Sequence, residues 1–190
     1  MEAKQFLEFL EKIEKLKSNT RHCYTADGTH EVVAAHTWRI AVMAMLLEKE
    51  FPELDMNKVI RMCLIHDWGE AVTGDIPTFT KTAENEETEK QAVDGLIRTL
   101  PEAVYQDIKE LFAEMEALET PEAKFYKALD KLEAVISHNE SDIKTWIPLE
   151  YELQMTYGTK EAKPFPFLNQ LREQMKADTQ EKIEQHKKGL

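Results

Sequence analysis

One stretch, residues 59–77 (VIRMCLIHDWGEAVTGDIP), constrains the fold more than any other part of the sequence. It begins as a run that is apolar almost all the way round a helix, which is typical of a buried helix. The run ends on His66 and Asp67, and Glu70 and Asp75 follow closely. Burying a histidine beside carboxylates is costly unless hydrogen-bond partners or a metal ion compensate them. The stretch alone leaves both forms of compensation open.

Helical periodicity recurs along the chain, whereas the alternation typical of strands is absent. A helix is expected from the N-cap Asp55 to Gly69, which we expect to end it in the left-handed conformation. Residues 18–31 lack periodicity and read as a loop with a turn at Asp27-Gly28. The remaining helices are predicted at about 3–17, 32–50, 86–100, 102–117, 122–139, 146–157 and 167–187. The sequence thus predicts an all-α fold without a sheet, in one domain spanning residues 1–190.

The charge and composition of the chain limit the kinds of molecule that it is expected to bind. The chain has 24 basic and 36 acidic residues, a formal net charge of −12, which argues against binding of a nucleic-acid backbone. A small anionic substrate needs only a few local cations and is not excluded. Two cysteines are too few for a disulfide framework, and the amphipathic, acidic N-terminus is unlike a signal peptide. We therefore expect a cytoplasmic protein with no membrane partner.

Four residues are candidate metal ligands, and each also has a simpler interpretation. His36 lies on the apolar face of its predicted helix. It is either a metal ligand or a core histidine held by hydrogen bonds. His66 and Asp67 can both reach one ion placed beside the helix axis, or they form an interior histidine–carboxylate pair. Asp130 lies at the edge of an apolar stripe, where it is a ligand or a solvated carboxylate beside a lysine.

Mixed imidazole and carboxylate ligands suit Mn, Fe, Co, Ni or Zn, and carboxylate-rich sites also admit Mg. An ion with open positions lowers the pKa of bound water and polarises a phosphoryl oxygen. Glu70 and Asp75 are then candidates to orient or deprotonate that water. The alternative for both carboxylates is capping of the loop around Gly74.

Three segments carry a resemblance to a known family: RHCYTADGTHEVVAAHTWR, CLIHDWGEAVTGDIPTFTK and KALDKLEA. Together they resemble the HD-domain phosphohydrolase superfamily, and within it the branch that includes the 5′-deoxynucleotidases. The resemblance implies an all-α HD fold with a metal-binding core at about 16–139 and C-terminal helices, 146–187, packed on it. It also implies one divalent ion, held by the four candidate ligands: His36, His66, Asp67 and Asp130.

The same resemblance implies roles around the ion. In similar nucleotidases the positions matching Glu70 and Asp75 assist the nucleophilic water, and the one matching Arg21 contacts the substrate phosphate. Thr78 and Lys81 match a segment that lines the same pocket. Independently of the family, the planar fork of Arg21 can bond two phosphate oxygens. The alternative for Arg21 and Lys81 is a solvated surface cation.

The chain departs from the family pattern at two positions. Ala35 stands where related sequences have a glutamate immediately before the first metal-binding histidine, and a missing carboxylate there affects the orientation of that ligand. We expect neighbouring Glu31 to take over part of the role. His22 stands where the deoxynucleotidases have a tryptophan that shapes the sugar pocket, which leaves selection of 2′-deoxy sugars open.

The function predicted from these residues is metal-dependent hydrolysis of a small phosphomonoester, with a nucleoside 5′-monophosphate as the expected substrate and metal-activated water as the nucleophile. One alternative is hydrolysis of a phosphoanhydride or phosphodiester, as in other HD families. Another is a non-catalytic nucleotide-binding regulatory module, which Ala35 keeps open. A homodimer is compatible with the resemblance, whereas a nucleic-acid partner is not expected.

Overall fold

The computed structural model describes residues 1–189, and most of them are helical, as the sequence predicted. None of the helices in that range is long and apolar enough to cross a membrane. A single two-stranded sheet, β1 and β2, is described. In chain order the elements are α1 Ala3–Ile13, β1 Thr20–Tyr24, β2 His30–Val32, α2 Val33–Leu47, α3 Met56–Ile65, α4 Glu70–Thr73, α5 Ala83–Ile97, α6 Glu102–Ala117, α7 Pro121–Glu140, α8 Pro148–Thr156, α9 Thr159–Ala162 and α10 Pro166–Lys188.

Side-chain caps explain where several helices begin. The predicted N-cap Asp55 accepts a hydrogen bond from the backbone N–H of Lys58 at 3.1 Å, so α3 begins at the next residue. Helix α5 begins three residues before its predicted start, because Thr82 and Asn85 form a reciprocal capping box. Pro121 occupies the first turn of α7, where its missing N–H costs no hydrogen bond.

The prediction that the chain has no sheet was wrong for residues 20–32, which form an antiparallel hairpin. Its turn contains Gly28 at φ +84°, and Thr25 and Thr29 both hydrogen-bond to the Asp27 carboxylate. The strands have five and three residues, too few to produce a recognisable alternation in the sequence. The hairpin packs against α7 and leads directly into α2.

Helices α2, α3 and α7 pack against one another and form the centre of the molecule. The fully buried side chains include Ile40 from α2, Met62 from α3, and Phe125, Leu129 and Leu132 from α7. Burying one such side chain contributes about 1.5–3 kcal/mol to the free energy of unfolding. The four candidate metal ligands lie where these three helices meet, so the core fixes their relative positions.

The prediction that Gly69 ends α3 in the left-handed conformation was wrong. Its φ is −57°, and the chain continues through a turn into α4. A Cβ atom at this position would lie 2.8 Å from Cγ of Glu89 and 2.9 Å from Cγ2 of Val93. Glycine is therefore required here because α5 approaches closely. This approach brings the carboxylate of Glu89 near those of Asp67 and Glu70.

We expect Gly69→Ala to lower the free energy of unfolding by about 1–3 kcal/mol, because the added methyl group overlaps two side chains of α5. Gly95→Ala, on the exposed side of the last turn of α5 with nothing within 4 Å of the added carbon, is the matched control. That control should raise the stability by roughly 0.5–1 kcal/mol. Urea denaturation measures both, and equal effects would contradict the close approach.

Candidate metal centre

The structure brings together the four candidate ligands, hereafter the ligand cluster: His36, His66, Asp67 and Asp130. His36 projects from α2, His66 and Asp67 follow α3 directly, and Asp130 lies on α7. The Nε2 atom of His36 is 3.2 Å from Oδ1 of Asp130 and 3.9 Å from Oδ2 of Asp67. The Nε2 atom of His66 is 3.0 Å from Oδ2 of Asp67 and 3.7 Å from Oδ1 of Asp130.

Both histidines are oriented with Nε2 towards the centre of the cluster. Nδ1–H of His66 donates to the carbonyl oxygen of Cys63 at 2.9 Å, and Nδ1–H of His36 donates to the carboxylate of Glu133. These partners assign the proton to Nδ1 in the neutral rings and leave the Nε2 lone pairs free for a cation. Nε2 of His66 is buried and makes no hydrogen bond. The donor set therefore fits a divalent metal ion.

The charges of the cluster also favour a cation. Burial opposes protonation of His66, but the neighbouring Asp67 and Asp130 outweigh it and raise the pKa of His66 to about 10. Burial likewise opposes ionisation of Asp67, yet the charge of His66 lowers the pKa of Asp67 to about 2. Without a metal ion, protonated imidazole supplies the positive charge that the carboxylates require. A metal ion would take over that part.

Asp130 uses its two oxygens for different partners. Oδ1 faces the histidines, and Oδ2 accepts from Nζ of Lys127 at 2.8 Å. Burial opposes the charge of Asp130, but Lys127 and the histidines hold its pKa well below the usual range. Asp130 is thus paired with a lysine, as one interpretation expected, but its side chain is mostly buried rather than solvated. Its other oxygen faces the ligand cluster, and its role as a metal ligand stays a prediction.

Glu133 supports His36, a part that the sequence analysis assigned to Glu31. Glu133 is fully buried on α7 and accepts the Nδ1–H of His36, while its other oxygen lies 3.3 Å from Nε of Arg39. Glu31 is also buried, but it accepts hydrogen bonds from Cys23 and from Ser137. The available signal was a carboxylate within the apolar stripe of α7, directly after Leu132.

The two candidate water-handling carboxylates lie beside the ligand cluster. Glu70 is 6% exposed, its Oε2 has no hydrogen-bond partner, and its side chain caps no helix. Burial, reinforced by the charges of Asp67 and Asp75, raises the pKa of Glu70 to about 9. Burial also raises the pKa of Asp75, with Arg21 acting in the opposite direction. Without an ion Glu70 therefore keeps its proton at neutral pH, and such a strongly shifted pKa marks a candidate functional group.

The three predicted substrate contacts differ in their surroundings. Arg21, on β1, is mostly buried, and its charge influences the pKa values of Asp75 and Asp67, so it lies close to the cluster. Lys81 forms an ion pair with Glu89 through its ammonium group. Thr78 is exposed in the turn that follows Pro77, and within residues 1–189 its side chain makes no hydrogen bond. The structure therefore brings Arg21 to the cluster and leaves Thr78 outside it.

His22, the second departure from the family pattern, is partly buried beside Arg21. Its ring meets the ring of Phe79 edge-on at a centroid distance of 5.4 Å. Its Nε2 atom lies 3.0 Å from Oε1 of Glu150, a buried carboxylate that His138 also contacts at 2.8 Å. Contacts from α8 and from the segment after α4 thus fix the ring.

Comparison with known proteins agrees with this geometry. Residues 13–172 match the family model described as HD domain. The chain belongs to the HD domain family. Its relatives in this family include the 5′-deoxynucleotidase HDDC2 of Xenopus laevis, 35% identical over 137 residues, which cover 70% of this chain and 67% of that protein. The human 5′-deoxynucleotidase HDDC2 is 32% identical over 142 residues, covering 73% of this chain and 69% of the relative.

A solved structure extends the HD-domain similarity to the C-terminal helices. The protein from Magnetospirillum magnetotacticum, described as a predicted metal-dependent phosphohydrolase, superposes with a TM-score of 0.79. It is 29% identical in sequence, and the match covers 94% of this chain and 92% of that protein. The all-α fold expected from the sequence is therefore confirmed, with the small hairpin as an addition.

The raised pKa of Glu70 predicts a pH dependence of stability for the metal-free protein. The folded chain keeps a proton on Glu70 up to a pH of about 9, whereas an ordinary glutamate loses it near 4.5. The contribution of Glu70 to the free energy of unfolding therefore decreases as the pH rises through this interval. Glu70→Gln cannot titrate and should show a smaller decrease. Urea denaturation in a chelating buffer measures the difference, and parallel pH profiles would contradict it.

Proposed function

We propose that this HD-domain protein is a metal-dependent phosphohydrolase that releases phosphate from a small phosphomonoester, with a nucleoside 5′-monophosphate as the substrate. The observation that carries the proposal is the convergence of the Nε2 atoms of His36 and His66 on the carboxylates of Asp67 and Asp130. The activity after which the relatives are named, 5′-deoxynucleotidase, supports the substrate class.

The ligand cluster would hold one divalent ion, with Mn, Co, Fe, Ni, Zn or Mg as the candidates for a mixed imidazole and carboxylate site. When bound, such an ion supplies a Lewis acid for the phosphoryl oxygens and acidifies a water molecule. The ligands come from α2, α7 and the end of α3, so the packed core sets their separation. Lys127 keeps one oxygen of Asp130 occupied and leaves the other facing the ion.

Glu70 is the proposed acceptor of the proton of the attacking water. It lies beside Asp67 and its Oε2 is free. Its pKa is about 9 without an ion, and a cation in the ligand cluster would lower that pKa towards neutral pH, so that the carboxylate form is available as a base. Proton transfer is most effective when the pKa of the base is close to that pH. Asp75, at the end of the same short segment, is the proposed group that orients the water. Both roles leave the ligand cluster intact during the reaction.

Arg21 is the proposed contact for the non-bridging oxygens of the phosphate. Its guanidinium provides a planar set of donors that fits two oxygens at once. Lys81 is a second candidate, although its ammonium group must first release Glu89. Thr78 is proposed to line the outer edge of the same pocket. The positive charges on this side of the cluster balance the negative charge of the incoming phosphate.

A groove of about 500 Å³ between α5, α6 and α7 provides space for the organic part of the substrate. Lys81 and Lys127 are among its lining residues, and Lys127 also contacts Asp130. Val93 and Phe112 contribute an apolar surface, and several acidic side chains line the groove as well. A groove that offers both apolar surface and cations suits a nucleoside attached to a phosphate.

The organisation of the chain completes the proposal. We infer one HD domain over residues 1–190, with the metal-binding core at 16–139 and the helices at 146–187 packed on it. This is supported by a hydrophobic cluster that Phe125 of α7 shares with Leu168 of α10. A cytoplasmic location and a homodimer are also proposed, and size-exclusion chromatography with light scattering measures the second.

The alternative of a non-catalytic nucleotide-binding module rested on Ala35. Its support is weaker now, because Glu133 provides the carboxylate that fixes His36. Cleavage of a phosphoanhydride or phosphodiester is the alternative within enzymes. Analysis of the products distinguishes it, since these substrates yield pyrophosphate or a nucleotide and the proposed reaction yields orthophosphate.

We expect chelator-treated protein to release orthophosphate from nucleoside 5′-monophosphates once Mn²⁺ or Co²⁺ is added. Asp67→Ala removes a ligand that faces both histidines, so metal binding and phosphate release should both fall to background. Isothermal titration calorimetry measures the first and a colorimetric phosphate assay the second. Absence of release from every nucleotide tested, with metal demonstrably bound, would refute the proposed function. Turnover by Asp67→Ala would refute the site.

Arg21→Ala should lower kcat/KM for the nucleotide by about 10- to 100-fold, because a charged hydrogen-bond donor to the phosphate is lost. Arg21→Lys keeps the charge but loses the planar fork, so an intermediate loss is expected. Steady-state kinetics measure both, and calorimetric metal affinity serves as the control. Equal kcat/KM in Arg21→Ala and the wild type would exclude Arg21 as the phosphate contact.

A further inference from the structure

A continuous chain of buried polar contacts connects Arg21 with His36. Nε of Arg21 lies 3.5 Å from Oε2 of Glu31. The hydroxyl oxygen of Ser137 lies 3.0 Å from Oε1 of Glu31 and 2.8 Å from Oε1 of Glu133. The second oxygen of Glu133 accepts the Nδ1–H of His36. The proposed phosphate contact and a proposed metal ligand are thus joined through three residues that touch neither phosphate nor metal.

These three connecting residues are almost completely shielded from water. Glu31 is 4% exposed, Ser137 is 3% exposed and Glu133 is fully buried. They come from the hairpin and from two successive turns of α7, so the chain crosses between separate elements. Buried ionic groups are weak evidence for stability, since apolar residues of similar volume often stabilise a protein equally well. Their presence here calls for a role in the site.

The hydroxyl group of Ser137 stands between two carboxylates but carries one hydrogen. It can donate to Glu31 or to Glu133 at a given moment, so each carboxylate needs a further donor. Arg21 and Cys23 contact Glu31, while Arg39 and His36 contact Glu133. The position of each cation therefore depends on how the carboxylate beside it is held.

We propose that Glu31, Ser137 and Glu133 form a positioning unit that fixes His36 as an Nε2 ligand at one end and holds Arg21 at the other. The inference rests on the proposed function for the part played by Arg21. Glu133 sets the metal affinity through the orientation of His36, and Ser137 sets the phosphate affinity through Glu31 and Arg21. Glu133 and Ser137 are four residues apart on α7, so they lie on the same face of the helix and stay in contact.

The end of the unit at His36 is tested with Glu133→Gln and Glu133→Ala. We expect the Mn²⁺ affinity to fall by about 10- to 100-fold in Glu133→Ala, with a partial rescue in Glu133→Gln, whose amide oxygen can still accept the Nδ1–H. Calorimetry measures the affinity. Nitrogen-15 NMR of the His36 ring in metal-free protein, at a pH high enough for the ring to be neutral, gives a second readout, because loss of Glu133 should release the proton from Nδ1.

The end at Arg21 is tested with Ser137→Ala. We expect a roughly 2- to 10-fold weaker affinity for inorganic phosphate in the metal-loaded protein, and the same rise in KM at nearly constant kcat. Ser141→Ala is the matched control, since Ser141 is also buried and lies one turn later at the end of α7, with its hydroxyl bonded to the carbonyl oxygen of His138. The control should leave both affinities unchanged.

A double-mutant cycle of Ser137→Ala with Glu31→Gln distinguishes positioning from general loosening. If Ser137 acts through Glu31, the two losses of phosphate affinity are not additive. Additive losses, or equal effects of Ser137→Ala and Ser141→Ala, overturn the positioning unit at this end. An unchanged Mn²⁺ affinity and ring tautomer in Glu133→Ala overturn it at the other.

The wild type separates this inference from the proposed function. Wild-type protein that binds neither Mn²⁺ nor phosphate refutes the proposed function and this inference with it. Normal wild-type binding, combined with unchanged affinities in the Glu133 and Ser137 variants, refutes the positioning unit alone. Thermal unfolding of each variant is measured in parallel, and a variant with a wild-type Tm but altered affinity supports the inference.

Discussion

The structure depends on the compensation of charge buried where α2, α3 and α7 meet. Imidazole and carboxylate groups removed from water are stable only when opposite charges and hydrogen-bond partners surround them. The three helices provide these partners from distant parts of the chain, such as Glu133 for His36, 97 positions apart. The polar groups therefore find their partners only when the three helices pack together, and the helices pack closely only when those polar groups are paired.

The polar groups at this junction form two layers with different physical tasks. The inner layer, the ligand cluster, presents ring nitrogens and carboxylate oxygens to one point. The outer layer fixes how those groups are turned, through Glu133 and the Cys63 carbonyl at the histidines and Lys127 at Asp130. A ligand atom coordinates a cation only in one orientation, so the outer layer would contribute to the metal affinity proposed for the cluster.

Much of the fold was predictable from local sequence patterns, and the exceptions share a cause. Helix starts followed from caps such as Asp55, because capping depends on residues a few positions apart. The hairpin and the role of Gly69 were missed, because both depend on packing against helices remote in sequence. In the site, His66 and Asp67 were conspicuous as polar neighbours in an apolar run. Glu133 was not, since its partner lies on another helix.

The sequence alone determined the helical pattern, the apolar run that must be buried, and the types of side chain available for chemistry. These follow from periodicity and composition, which act over a few residues. Only the tertiary structure decided which polar residues remote in sequence meet: Glu133 rather than Glu31 at His36, Asp130 at the Nε2 atom of His36, and Glu89 at Lys81. Hydrogen bonds and ion pairs act over a few ångströms, so the partners are fixed by the packing of the helices.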